Sequence, residues 1–147
     1  MGAVSETAPP RSWNQCGDAI VAFPWELWEA TVKYVILLLD TEAARNMSEA
    51  EGQAWYGEIG AWYEKHGGSG KLADGGHQLA PPATAKTVRA SGVTDGPFME
   101  TKEALGGYSV LETDTIEEAV EIAKTWPGVD RGWMTVEVRP VVEMLGD

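Results

Sequence analysis

The clearest pattern in the chain begins at Tyr34. Tyr34-Val35-Ile36-Leu37-Leu38-Leu39 is an unbroken apolar run closed by Asp40. A run this short suits a strand covered on both faces. Ser48 and Glu51 follow at the spacing of a capping box, in which each side chain satisfies the other residue's backbone N–H. Trp55, Ile59, Trp62 and Tyr63 then recur at i, i+4, i+7 and i+8, the apolar stripe of a helix. Aromatics at that spacing are more often core than a ligand site. Gly57 and Gly60 interrupt the stripe at about 1 kcal/mol each relative to Ala. They either permit close packing on a sheet or are merely tolerated. Gly67-Gly68 is the expected stop. Lys71 to Leu79 reads as a weak strand ended by Pro81-Pro82, and Thr84 to Arg89 as another. Ser91-Gly92 turns the chain, and Val93-Thr94 leads into Asp95. Gly107 to Thr113 reads as a strand. Thr115 and Glu118 repeat the capping-box spacing before Ile116, Ala119, Val120 and Ala123, and Pro127-Gly128 stops that helix. Met134, Val136 and Val138 alternate with Thr135, Glu137 and Arg139, the pattern of a half-buried strand.

The order β-α-β(β)-β-α-β predicts an α+β fold of the ferredoxin-like, split βαβ kind. Both helices then cover one face of an antiparallel sheet. The first strand is apolar on both sides, and no third helix remains to cover the second face. An exposed apolar face of that size is a liability, so the pattern predicts a homodimer through the sheet face. Residues 1–31 stand apart: Pro9-Pro10, Pro24 and three tryptophans with no clear period. They read as an N-terminal appendage, disordered or loosely docked, ahead of a domain spanning 32–147.

Composition narrows the function classes. The chain has 147 residues and a formal charge of −12, and its eleven basic residues are scattered. That argues against nucleic acid, which needs clustered Lys and Arg, and against anionic membranes. No apolar run approaches the roughly 20 residues of a membrane span. Cys16 is the only cysteine, so no intrachain disulfide forms, which fits a cytoplasmic protein. His66 and His77 are eleven apart with no cysteine pair, which matches no zinc spacing. Gly67 to Gly70 follows a helix and lacks the Lys-Ser/Thr of a phosphate loop. No metal or cofactor is expected.

The stretch with the densest chemistry is Asp95-Gly96-Pro97-Phe98-Met99-Glu100-Thr101-Lys102-Glu103. A turn needs only Gly, Pro and an Asx residue; three carboxylates and an ammonium exceed that need. The chain resembles the YCII-related, or DGPF-domain, family from about Val32 to Val142. The resemblance rests on Lys33-Tyr34-Val35-Ile36-Leu37-Leu38, Leu79-x-Pro81-Pro82-Ala83-Thr84 and Thr87-Val88-Arg89. It continues in Val93-Thr94-Asp95-Gly96-Pro97-Phe98, Glu100-Thr101-Lys102-Glu103, Leu105-Gly106-Gly107-Tyr108 and Val136-Glu137-Val138-Arg139-Pro140-Val141. It implies a dimeric α+β barrel and, for members that act as enzymes, lyase-like chemistry by carboxylate and histidine groups at the sheet face. The family's helical histidine has no convincing counterpart here, and His77 stands where many members carry Glu. Members typically begin Met-Lys-Tyr, so Val32 is a candidate natural start.

Each candidate carries two readings. Asp95 is a general base tuned by a pocket, or a carboxylate closing its own turn. Lys102 and Glu100 are an acid/base pair or substrate clamp, or a solvated ion pair. His77 is a catalytic group, since histidine ordinarily titrates near neutrality, or an exposed hydrogen-bonded residue. Tyr108 and Phe98 join Glu100 as substrate-binding candidates, with strand packing as the alternative for Tyr108. His66 reads as a helix-end cation favouring the macrodipole. Two functions follow. One is a lyase- or isomerase-type enzyme on a small organic molecule, with Asp95 as base and Lys102 or His77 stabilising the anion. The other is a non-catalytic dimer that binds a small molecule or takes part in a regulatory interaction.

Overall fold

In the computed structural model, which describes residues 31–142, the apolar run forms β1 (Lys33–Asp40) inside a four-stranded antiparallel sheet. The appendage reading of the N-terminal segment falls almost wholly outside the described residues. Along β1, Tyr34, Ile36 and Leu38 are buried on one face, while Val35, Leu37 and Leu39 are only half-buried on the other. A single helical turn, α1 (Glu42–Arg45), follows, with the Ala44 N–H donating to its N-cap Thr41. The hydrophobic pattern gave no sign of this turn.

Helix α2 (Glu49–Gly68) opens with the full capping box. The Ser48 N–H donates to Glu51 Oε1 at 2.9 Å, and the Glu51 N–H to Ser48 Oγ at 3.1 Å. A Cβ on Gly57 or Gly60 would meet nothing within 4 Å, so these glycines are tolerated and serve no close approach. The helix ends at Gly68, the second glycine of the expected stop, and the left-handed residue beyond it is Gly70, at φ 79°.

Strand β2 (Leu72–Gln78) lies at one edge of the sheet. Two short strands follow, β3 (Lys86–Arg89) and β4 (Gly92–Asp95), which pair with each other as a separate ribbon around Ala90-Ser91. Strand β5 (Ala104–Glu112), helix α3 (Ile116–Ala123) and strand β6 (Met134–Pro140) complete the fold. The sheet order is β2-β5-β1-β6, the split βαβ topology expected from the sequence. Only half of the second capping box forms. Thr115 accepts the Glu118 N–H at 3.2 Å, but Glu118 Oε1 takes the N–H of Asp114, one residue early. The other Glu118 oxygen pairs with Lys71 at 2.9 Å.

The core lies between the sheet and the helices, built on Ile36, Leu111, Trp62, Trp126, Ala119 and Met134. The aromatic stripe of α2 goes there. Trp62 meets Trp126 edge-on with ring centres 4.8 Å apart, and its indole N–H donates to Thr125 Oγ1 at 2.9 Å. His66 departs from the helix-end-cation reading. It is buried, its ring lies 4.5 Å from that of Trp62, and burial with nearby Lys65 lowers its pKa. The neutral imidazole is therefore part of the core. Its Nε2 and the Trp126 indole nitrogen are buried without a hydrogen-bond partner among the described residues.

Candidate functional site

Among the described residues, no helix lies on the second face of the sheet. Leu37 sits in register with Tyr108 on β5 and Glu137 on β6, and Tyr108 sits in register with His77 on β2. Residues paired across strands share a face. A row His77–Tyr108–Leu37–Glu137 therefore crosses the open face. Val110, Val35 and Arg139 form the next row, and Leu105, Leu39 and Thr135 the row on the other side. The middle of the face is apolar. His77 Nδ1 lies 3.1 Å from Tyr108 Oη toward one edge. Toward the other edge Arg139 pairs with Glu137, and Thr135 Oγ1 donates to Glu103 Oε2 at 2.6 Å.

A break in β2 brings His77 opposite Tyr108. The register shifts on either side of Asp74. Gly76 holds φ 70°, and a Cβ on it would lie 1.8 Å from the Tyr108 carbonyl oxygen. Only glycine fits that approach. Asp74 Oδ1 accepts the Gly76 N–H at 2.8 Å, and Ser109 Oγ donates to the Gly75 carbonyl at 2.7 Å. Tyr63 Oη reaches the same Ser109 oxygen at 2.7 Å from the helix side.

The acidic motif lies elsewhere, on and beyond the β3–β4 ribbon. Asp95 does not close its own turn. It pairs across the ribbon with Lys86 at 2.5 Å, and its side chain is 83% exposed. The segment after it is tied back to β3. The Gly96 N–H donates to the Ala85 carbonyl at 2.7 Å, Thr87 Oγ1 to the Gly96 carbonyl at 2.8 Å, and Arg89 Nη2 to the Phe98 carbonyl at 3.0 Å. Phe98 is left 73% exposed. Glu100 and Lys102 are exposed, and what is held at Lys102 is its carbonyl, which accepts from Arg45 Nη2 at 2.8 Å. Arg45 Nη1 also donates to the Asp40 carbonyl at 3.0 Å. Burial pushes the Asp40 carboxyl up in pKa, and Arg45 opposes that shift.

Of the candidates, the structure joins His77 with Tyr108. Among the described residues no hydrogen bond or ion pair links Asp95, Lys102 and His77. Two surface concavities are lined by other residues, one by Lys71, Glu112 and Asp114, the other by Glu58, Trp126 and Arg131. Among the described residues no group of three His, Cys, Asp or Glu gathers to hold a metal, and no helix is long and apolar enough to cross a membrane.

A sequence profile of the YCII-related domain matches residues 32–145. The chain belongs to the YCII-related domain family. It is also 30% identical, over 113 residues, to an uncharacterized protein of Rhizobium meliloti (strain 1021), across 74% of this chain and 90% of that protein. In this YCII-related domain the residues that the sequence reading missed are Lys86, Arg89 and Arg45. Each organises the acidic motif from outside it. Lys86 was within reach of hairpin arithmetic. With Ala90-Ser91 as the two-residue turn, position 86 falls opposite position 95.

Proposed function

We propose that this YCII-related domain acts as a cytoplasmic homodimer that binds a small organic molecule between its two open sheet faces. His77 and Tyr108 supply the polar contacts. The contact between His77 Nδ1 and Tyr108 Oη, at the margin of a floor built from Val35, Leu37 and Val110, carries this reading. An apolar floor with a few convergent polar groups is the usual composition of a ligand site. A second copy would remove the half-exposed apolar face from water. The single cysteine is in keeping with the cytosol. Binding is favoured over lyase- or isomerase-type catalysis because Asp95 is committed to Lys86 on an exposed ribbon. Within one chain it meets neither His77 nor Lys102, the groups that a proton-transfer mechanism would need beside it.

Sedimentation at micromolar concentration should give the mass of two chains. A thermal-shift screen of small aromatic and oxygenated compounds should find one that stabilises the wild type and Asp95→Asn alike. The same compound should lose its effect on Tyr108→Phe and His77→Ala. A mass of one chain would remove the dimer. Turnover of a hit by the wild type, abolished in Asp95→Asn, would replace binding by catalysis.

A further inference from the structure

Strand β2 carries one residue too many for its partner at Gly75-Gly76. Asp74 stands opposite Val110 and His77 opposite Tyr108, so Gly75 and Gly76 together face the single residue Ser109. Two residues against one make a β-bulge. If β2 ran on from Asp74 in regular register, Gly76 would stand opposite Tyr108 and His77 would turn to the helix face. The contact between His77 and Tyr108 therefore exists because the bulge does.

Two side chains hold the bulge. Asp74 Oδ1 accepts the Gly76 N–H at 2.8 Å, but in an exposed place where water can substitute for it. Ser109 is wholly buried, and its Oγ lies 2.7 Å from the Gly75 carbonyl oxygen and 2.7 Å from Tyr63 Oη. A carbonyl has no proton to give, so Ser109 donates to Gly75 and Tyr63 donates to Ser109. The Tyr63 ring is set in turn by Trp62 and Trp126, both edge-on, with ring centres 5.2 Å and 5.5 Å away. A directed chain of hydrogen bonds thus runs from α2 through β5 to the bulge in β2. We infer that Ser109 and Tyr63 are positioning residues for His77. They lie on the helix side of the sheet and act on a ligand of the open face only through the bulge that sets His77 beside Tyr108. This deepens the binding reading above and rests on it.

The test needs no ligand. In the full chain labelled with [15N]histidine, the Nδ1 shift of His77 is read at one pH. Tyr108→Phe, which deletes the contact but keeps the ring, sets the scale. Ser109→Ala should move the shift most of the way to the Tyr108→Phe value. Tyr63→Phe should move it the same way by less, because Ser109 can still donate to Gly75. Asp74→Ala should move it least. Ile116→Ala, a truncation on α3 away from the bulge, should lower the melting temperature and leave the shift in place, which separates positioning from stability. Should Ser109→Ala fail to fold, Tyr63→Phe decides. A shift that Tyr108→Phe moves but Ser109→Ala and Tyr63→Phe do not, or that Ile116→Ala moves as far, would overturn the positioning role and leave the binding site standing. A shift that Tyr108→Phe itself leaves in place would remove the contact, and the binding reading with it.

Discussion

The two faces of β1 carry equally apolar residues and meet different fates. Tyr34, Ile36 and Leu38 are sealed under the helices, with Ile36 wholly buried, whereas Val35, Leu37 and Leu39 keep contact with solvent. The strand alone cannot account for the difference, since its residues alternate between near-equivalents. It comes from what the rest of the chain lays on each side. Among the described residues the helices complete one face, and the open face has only its own rows of side chains. One face supplies the core, and the other stays open to solvent.

The sharpest way to break this comparison is a pair of substitutions one residue apart. Ile36→Ala should cost about 2–5 kcal/mol of unfolding free energy, because a fully packed side chain is lost and a cavity remains. Leu37→Ala should cost the isolated chain much less and instead weaken self-association. Denaturant unfolding beside sedimentation separates the two, and equal unfolding costs would erase the distinction between the faces. Gly76→Ala comes next, at about 1–3 kcal/mol or more for the forced backbone. It should also carry the His77–Tyr108 contact away, because β2 must retreat from the Tyr108 carbonyl. Nuclear magnetic resonance shifts of His77 would report that loss.

Two titrations then test the closed face from opposite directions. His66 has a lowered pKa in the folded chain, so the unfolded chain binds the proton first. Its contribution is whole above the unfolded value of about 6.5 and is lost as pH falls through that value toward the folded one. Melting temperature should drop over that window, and His66→Gln should flatten the drop. Asp40 runs the other way. Its folded pKa is raised, so stability declines as pH climbs from the unfolded value of about 3.9 through the folded one. Asp40→Asn should melt higher than the wild type at neutral pH. The smallest effect belongs to the β3–β4 ribbon. Lys86→Met should change monomer stability by less than about 1 kcal/mol, since exposed ion pairs contribute little.

Most of the fold was legible because its signals are local. The apolar run of β1, the Ser48–Glu51 box and the alternation of β6 each announce their element within a few residues. The site was less legible because its geometry depends on register. Placing the turn at Ser91-Gly92 instead of Ala90-Ser91 moves every cross-strand partner by two residues, sets Val88 opposite Asp95 and hides the partnership of Lys86 with Asp95. Alternation counted along β2 likewise fails at Asp74-Gly75-Gly76, where the break that pairs His77 with Tyr108 is fixed by a carbonyl on another strand. His66 was misread for a related reason. Position at a helix end says nothing of whether a tryptophan covers the ring.

The Arg45 fork has a mechanical meaning. The segment bearing the β3–β4 ribbon is anchored at its exit by the Leu79 N–H on the Gly106 carbonyl, at 2.8 Å, and at its return by Arg45 on the Lys102 carbonyl. Just past the exit, the turn Pro82–Thr84 rests against β5. The guanidinium also holds the Asp40 carbonyl, so a load on the ribbon reaches the sheet through both β1 and β5.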